Sequence, residues 1–191
     1  VGEEKGHLFV TTPFNKGASP VDVSLSLPEL QPQIDQLLEA LSFVHGFGIA
    51  HGELNPASIL VSPDNQILIT NFTRAPHNHD LSNTVYLSPQ LRDGQAADIP
   101  ADIYALGALL YKIIANQDWR ADGTFAVDKP ITTDLKHYLE AMLSPAAQDR
   151  PTDLATLRRL INENNGQGTS ESLENITPSL FSKATSDDSF Q

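Results

Sequence analysis

Three groups of side chains in this sequence are of types that could carry out chemistry. Glu53 with Asp64 or Asp102 could supply the two carboxylates of a glycoside hydrolase, and His77 with His79 could bind a metal ion. Nothing in the sequence sets the carboxylate separation that glycoside hydrolysis requires. Histidines two positions apart in a polar loop are usually solvated, so we expect neither of these sites. The third group lies in residues 48–60 and is examined below.

Composition excludes several further classes of function. The 191 residues include no cysteine, which rules out disulfides, thiolate metal sites and cysteine nucleophiles. The 24 acidic residues outnumber the 12 basic ones, and a net charge of −12 argues against nucleic acid as a partner. The longest apolar run, residues 103–115, is interrupted by Lys112 and is too short to span a membrane. We therefore expect a cytoplasmic protein.

The chain divides by composition into a body and a tail. It begins at Val1 and not at methionine, so we expect it to have been cut from a longer protein. Residues 163–191 are rich in serine, asparagine and threonine and hold few apolar residues, a composition typical of a flexible tail or linker. We predict one domain over residues 1–162, followed by this polar tail.

Apolar spacing predicts that the body is mostly helical. Helices are predicted over residues 30–44, 101–115, 135–142 and 154–161. The second is apolar nearly all round, which predicts a helix buried within the body. Thr132 or Thr133 would cap the third helix, and Thr152 would cap the fourth.

Strand signals are few. The β-branched runs 59–61 and 67–69 flank a Pro-Asp-Asn turn and predict a hairpin. Residues 7–12 predict a single edge strand, which ends at Pro13. Together with the helices, these strands predict an α+β domain with a small β patch.

The segment between the first helix and the hairpin carries a recognisable pattern. Residues 48–60, GIAHGELNPASIL, resemble the catalytic loop of protein kinases, His-Arg-Asp-Leu-Lys-Pro-x-Asn-Ile-Leu. Four more segments follow in the order of that family. They are TNFT at the Asp-Phe-Gly position (70–73), YLSPQ at the Ala-Pro-Glu position (86–90), DIYALGALLY at the central helix (102–111) and QDRPT at the Asp-Arg-Pro position (148–152).

Five collinear segments in the style of bacterial serine/threonine kinases imply a protein kinase-like fold. The resemblance implies the mostly helical large lobe over residues 8–162. The small lobe would be largely missing, because no room exists before residue 12 for a glycine-rich loop, the strand lysine or the helix glutamate.

The resemblance also places four altered residues at catalytic positions. Glu53 stands where the family has its catalytic aspartate, and Asn55 where it has the lysine that steadies the phosphoryl group. Ser58 replaces the asparagine that binds magnesium, and Asn71 replaces the metal-binding aspartate. The extra methylene of Glu53 misplaces its carboxylate by about 1 Å, which can cost on the order of a hundredfold in rate. The resemblance therefore implies that no catalytic residue is intact.

Residues that hold the fold are implied to remain. His51 and Phe72 would pack into an internal apolar stack, and Asp102 would accept hydrogen bonds from backbone N–H groups of the loop at His51. Asp102 could instead simply cap its helix. Arg150 would anchor the end of the activation segment, with Gln90 in place of the usual glutamate partner.

The sequence keeps the residues that hold a kinase-like fold together and replaces the residues that carry out phosphoryl transfer. In this respect it resembles a pseudokinase. The resemblance implies a protein-interaction or regulatory module with a protein partner, no cofactor and no phosphoryl transfer. The alternative is a weak serine/threonine kinase that uses ATP and magnesium, with its small lobe outside these residues. A third possibility is a degenerate spacer between other modules.

Overall fold

The described part of the computed structural model contains five α-helices, three short 3₁₀ helices and five strands. It covers residues 2–4, 7–9, 16–72, 81–120, 122, 125–127 and 130–174. The helices are α1 (Gln31–Gly46), α2 (Pro89–Arg92), α3 (Ile99–Ala115), α4 (Thr133–Met142) and α5 (Leu154–Glu174). The strands are β1 (Gly2–Glu4), β2 (His7–Phe9), β3 (Ser19–Pro20), β4 (Ile59–Val61) and β5 (Ile67–Ile69). The predicted α+β class and the mostly helical body are confirmed.

Helix α3 is the central element of the core. Nearly all of its side chains are buried, as its apolar composition predicts. The helix begins at the cap Asp98, whose Oδ1 accepts a hydrogen bond from the N–H of Ala101 at 2.8 Å. It ends at Asn116, which adopts the left-handed conformation with φ 53°. Because Asp98 is the cap, Asp102 is left for another role.

Helices α3 and α4 approach each other closely at Gly107. A Cβ atom added there would lie 3.0 Å from the Cβ of Met142 and 3.2 Å from the Cγ of Leu143. Met142 is fully buried, so its backbone could not yield without disturbing the core. The cap of α4 is Thr132, whose hydroxyl accepts from the N–H of Leu135 at 3.3 Å, which decides between the two predicted threonines.

The start of α5 differs from the prediction. Asp153 caps it, since its Oδ1 accepts from the N–H groups of Ala155 at 3.1 Å and Thr156 at 3.3 Å. The prediction of Thr152 as the cap was wrong, because Asp153 directly precedes the first helical residue and its carboxylate reaches both exposed N–H groups.

Helix α5 continues past the predicted domain boundary at residue 162. Asn164 accepts a hydrogen bond from the N–H of Thr132, and Asn165 donates one to the side chain of Gln31. Helix α5 therefore contacts other described residues of the body as far as Asn165. The predicted boundary between the domain and the polar tail falls within α5. The division itself remains a prediction, and residues 175–191 lie outside the described part of the chain.

The predicted hairpin is confirmed. Strands β4 and β5 pair antiparallel with Leu60 opposite Leu68. A short strand that the sequence did not predict, β3, pairs with the other side of β4 and completes a three-stranded sheet in the order β3-β4-β5. Two residues, one of them proline, are too few to show an alternating pattern.

The predicted strand at residues 7–12 is present at residues 7–9, and residues 10–12 lie outside the described part of the chain. Strand β2 pairs antiparallel with β1 in a two-stranded sheet that is separate from the sheet of the hairpin. Pairing depends on which segments the fold brings together, whereas β-propensity along the chain reports only that a strand forms.

No helix within the described residues is both long enough and apolar enough to cross a membrane.

Candidate functional site

The loop between α1 and β4 is held from beneath by Asp102. This side chain is 1% exposed, and its Oδ2 accepts from the N–H of His51 at 2.7 Å while Oδ1 accepts from the N–H of Gly52 at 2.9 Å. Gly52 has φ 89°, a left-handed conformation that favours glycine. The hydrogen bonds are the ones that the resemblance implied, and they tie the loop to the first turns of α3.

A third donor to Asp102, His45, was missed in the sequence. Its Nε2 lies 2.9 Å from Oδ2 of Asp102, and its side chain is only 9% exposed. The available signal was a histidine in the last turn of a helix that buries one face, six positions before His51. Asp102 thus joins the end of α1, the loop and α3 through one carboxylate.

His51 is fully buried and its ring has a partner on each nitrogen. The Nε2 atom lies 2.8 Å from the carbonyl oxygen of Thr70, and Nδ1 accepts from the N–H of Glu53 at 3.2 Å. These partners require a proton on Nε2 and a lone pair on Nδ1, which is the neutral form. Burial lowers the pKa of His51 below its ordinary 6.5, and the Thr70 carbonyl and the Asp102 carboxylate oppose this only in part.

The lowered pKa of His51 predicts a loss of stability in acid. The unfolded chain binds a proton at His51 near pH 6.5, while the folded chain stays neutral to lower pH, so the free energy of unfolding is highest above pH 6.5 and falls as the pH drops below it. We expect His51→Asn to be less stable than wild type at neutral pH but to show a flatter decline, measured by urea unfolding between pH 7.5 and 5.

His137 is the matched control, because it is an exposed histidine on α4. His137→Asn controls for the loss of a histidine as such, and the decline of stability in acid is compared between His51→Asn and this variant. Equal slopes for wild type and His51→Asn would show that folding does not change the pKa of His51, which would contradict the prediction.

Asn55 and Ser58 are linked to each other and to the backbone of the loop by hydrogen bonds. The hydroxyl of Ser58 accepts from the N–H of Asn55 at 3.1 Å and donates to the carbonyl of Asn55 at 2.8 Å. The Asn55 side chain accepts from the N–H of Ala57 at 2.9 Å and donates to the carbonyl of Glu53 at 2.8 Å. We call this arrangement the Asn55–Ser58 lock. It caps the 3₁₀ turn Pro56–Ser58 and occupies the polar atoms of both residues.

The burial of these side chains also limits their contact with a ligand from solvent. Ser58 is only 1% exposed, so the remaining lone pair of its hydroxyl is closed to a ligand from solvent. Glu53 is half-buried in the same loop, and its own N–H is committed to the ring of His51. The three altered loop positions therefore lie together, and two of them serve the loop's own conformation.

Asn71 and Phe72 follow the hairpin on the exposed side of the loop. Asn71 is exposed and has φ 64°, a left-handed conformation that asparagine tolerates better than most residues. The ring of Phe72 lies 4.6 Å from that of His51, centroid to centroid, so the expected contact is present. Phe72 is nevertheless 43% exposed, which corrects the expectation of an internal stack. No described element packs over its outer face.

Arg150 is buried and its guanidinium is surrounded by acceptors. Its Nη2 donates to Oε1 of Gln90 at 2.6 Å, its Nη1 to the carbonyl of Pro100 at 3.0 Å, and its Nε to the carbonyl of Ser144 at 2.8 Å. The guanidinium also lies 5.1 Å from the ring centroid of Tyr104. Arg150 thus connects the start of α2 with α3 and the loop before α5, as the resemblance implied.

Gln90 does more than substitute for a glutamate. Besides accepting from Arg150, its Nε2 donates to the carbonyl of Pro145 at 2.7 Å. A glutamate would strengthen the first bond by its charge but would place an oxygen against the carbonyl of Pro145. The two effects oppose each other.

We therefore expect Gln90→Glu to change the free energy of unfolding by less than about 1 kcal/mol in either direction. Gln90→Ala, which removes both bonds, should cost about 1–2 kcal/mol. Urea unfolding of the three proteins checks this. A clear gain of stability in Gln90→Glu would show that the contact to Pro145 is unimportant.

The other chemistry considered in the sequence finds no support. Asp64 is exposed in the turn of the hairpin, while Asp102 is buried and both of its carboxylate oxygens accept hydrogen bonds from the loop. Within the described residues no cluster of three or more histidine, aspartate or glutamate side chains could hold a metal ion. His77 and His79 lie outside those residues.

Comparison with known proteins agrees with this geometry. A model of the protein kinase domain matches residues 9–163. Serine/threonine-protein kinase PknB of Mycobacterium tuberculosis is 30% identical over 121 residues, which cover 58% of this chain and 18% of that protein. A probable serine/threonine-protein kinase of Clostridium acetobutylicum is 27% identical over 157 residues, covering 74% of this chain and 23% of that protein.

A third relative gives a similar result. The probable serine/threonine-protein kinase PknB of Lactococcus lactis is 28% identical over 158 residues, or 75% of this chain and 24% of that protein. The chain thus spans about a fifth of the length of the curated relatives it matches.

Proposed function

Since the chain belongs to the protein kinase domain family, we propose that it is a pseudokinase, a cytoplasmic protein-interaction or regulatory module that binds a protein partner and transfers no phosphoryl group. The proposal uses no cofactor. The kinase-like body acts as a scaffold in which Asp102 holds the loop by hydrogen bonds, while binding takes place on the surface.

The observation that carries this proposal is the Asn55–Ser58 lock. In phosphoryl transfer, protein groups must point at the phosphates and at the metal, because catalysis is mostly positioning and charge neutralisation. Asn55 and Ser58 stand at two of these positions, and the side chains of both form hydrogen bonds with backbone groups of the loop. The two residues that replace the family's catalytic groups thus stabilise the conformation of the loop by hydrogen bonds.

The donor set is also a poor fit for magnesium. This hard cation prefers carboxylate oxygens, and it sheds its water reluctantly. The two metal positions hold a buried hydroxyl, Ser58, and a neutral amide, Asn71. These residues therefore do not fit a magnesium–nucleotide complex.

The corresponding prediction is that millimolar Mg-ATP does not stabilise the protein. A ligand present at about 100 times its Kd would add about 2.7 kcal/mol to the free energy of unfolding. We expect the melting temperature with Mg-ATP to equal that with ATP and EDTA. A variant with Asn55→Lys, Ser58→Asn and Asn71→Asp, if folded, tests whether the family's residues restore a response.

A rise of several degrees that requires both magnesium and ATP would contradict the proposal. It would favour the second candidate, a weak serine/threonine kinase with its small lobe outside this chain. In that case Glu53, half-buried in the loop, would be the catalytic base, and Glu53→Gln would abolish residual phosphorylation of a peptide substrate without changing the fold.

A further inference from the structure

The buried ring of His51 fits only one protonation state in the present conformation of the loop. Its Nε2 lies 2.8 Å from the carbonyl oxygen of Thr70, a group that can only accept a hydrogen bond. Its Nδ1 lies 3.2 Å from the N–H of Glu53, a group that can only donate one. A second proton on the ring would sit on Nδ1 and point at this N–H. Because two donors cannot share the contact, protonation of His51 must break the hydrogen bond from Glu53.

Several elements place charged or polar groups around His51. Burial disfavours the protonated ring most and lowers the pKa of His51. The carbonyl of Thr70 after β5, Asp102 on α3 and Glu53 in the loop favour the protonated ring and oppose this in part. A charge on His45, at the end of α1, acts in the same direction as burial. The ring therefore takes up its second proton only below pH 6.5, the ordinary value for histidine.

Glu53 carries both of the groups that such a change of partner requires. Its backbone N–H donates to Nδ1 of His51, and its half-buried side chain ends in a carboxylate that attracts the protonated ring. Gly52 precedes it with φ 89°, and glycine has the backbone freedom for a rotation at this point. Asp102 holds the N–H groups of His51 and Gly52, so a movement of the loop would begin at Glu53.

A movement of Glu53 would reach the Asn55–Ser58 lock. The side-chain amide of Asn55 donates to the carbonyl of Glu53 at 2.8 Å. The N–H and the carbonyl of Glu53 belong to the same residue, so a backbone rotation that turns the N–H away from His51 also redirects the carbonyl. The lock would then lose one of its hydrogen bonds.

We propose that mild acid switches the conformation of the loop at residues 51–55 while the protein stays folded. A proton from solvent binds Nδ1 of His51, the N–H of Glu53 turns away, and the Glu53 carboxylate accepts the new N–H. The hydrogen bond from Asn55 to the carbonyl of Glu53 is lost in the same step. The switch goes beyond the proposed function, since it does not depend on whether the chain transfers a phosphoryl group.

The test is an NMR titration of the full 191-residue chain between pH 7.5 and 5, with circular dichroism of the same samples. The ring nitrogens of His51 report its protonation. Hydrogen exchange, corrected for the intrinsic effect of pH, reports the backbone N–H groups. As the ring titrates, the protection of the Glu53 N–H should fall about tenfold, while that of Gly52, held by Asp102, should be retained. The circular dichroism spectrum should stay constant across this range of pH.

Two pairs of variants assign the change to these residues. Glu53→Gln removes the attracting carboxylate, so its His51 ring should titrate at a lower pH than in wild type. The matched control is Asp64→Asn, an exposed acid in the hairpin turn, whose His51 ring should titrate as in wild type. His51→Asn should abolish the pH-dependent change at Glu53, whereas His137→Asn, at an exposed position on α4, should retain it. If His51→Asn does not fold, the first pair decides.

Four results would overturn the proposal. Loss of the circular dichroism signal together with the ring titration would show that acid unfolds the protein and does not switch the loop. The others are a ring that stays neutral until the protein unfolds, unchanged protection at Glu53 as the ring titrates, and equal midpoints in Glu53→Gln and wild type. None of these results involves Mg-ATP, so the acid switch and the pseudokinase proposal fail separately.

Discussion

Asp102→Ala is expected to lower the free energy of unfolding by about 3 kcal/mol or more. The carboxylate is buried and accepts from the N–H groups of His51 and Gly52 and from the ring of His45. Its removal leaves two buried backbone donors without a partner, at about 1–3 kcal/mol each. Because these bonds join α1, the loop and α3, the variant should also expose the loop to proteolysis.

Urea unfolding measures this loss, and Asp98→Ala serves as the control. Asp98 caps the same helix through the N–H of Ala101, so its removal should cost only about 1 kcal/mol. Asp102→Asn, which keeps one oxygen acceptor, should lie between the two. If Asp102→Ala lost no more than Asp98→Ala, the carboxylate would have no special role beneath the loop.

The second large effect is expected at Arg150. Arg150→Ala removes a buried guanidinium that donates to Gln90, Pro100 and Ser144 and lies against the ring of Tyr104. The lost bonds, the unpaired carbonyl groups and the cavity should together cost about 3–4 kcal/mol.

Lysine should not rescue Arg150, since a single ammonium cannot match the spread of a planar guanidinium over acceptors on several sides. The control is Arg159→Ala on α5, where the arginine is exposed and pairs with Glu163 one turn away, a contact of about 0.5 kcal/mol or less. Differential scanning calorimetry of the three variants checks the ranking. Full stability of Arg150→Lys would show that charge alone, and not geometry, matters at this site.

Local patterns in the sequence predicted much of the fold. The four longer helices, the hairpin and the buried character of α3 follow from apolar spacing within a window of one element. The five collinear motifs predicted the family, and the matched kinase domain confirms it. Each of these signals lies in residues that are neighbours along the chain.

Contacts between distant segments were harder to predict. The choice of Asp153 as the cap of α5 depended on which of two adjacent polar residues met the free N–H groups. The sheet to which β2 belongs depended on its pairing partner, which is β1. His45 gave no motif of its own, and only the tertiary structure brings its ring within 2.9 Å of the carboxylate of Asp102, 57 positions away along the chain.

The sequence by itself therefore determined which chemical groups this protein has at each position of a kinase-like catalytic loop. Only the tertiary structure decided what those groups do there. Asn55 and Ser58 could have faced a ligand, but their side chains instead form hydrogen bonds with the backbone of the loop around the 3₁₀ turn. From the sequence, Gln90 could have been only a weaker acceptor for Arg150 than a glutamate. In the structure its amide also donates a hydrogen bond to the carbonyl of Pro145. The physical reason is that side-chain type depends on the chain alone, whereas the partner available to a polar atom depends on which distant backbone the packed core brings within about 3 Å of it.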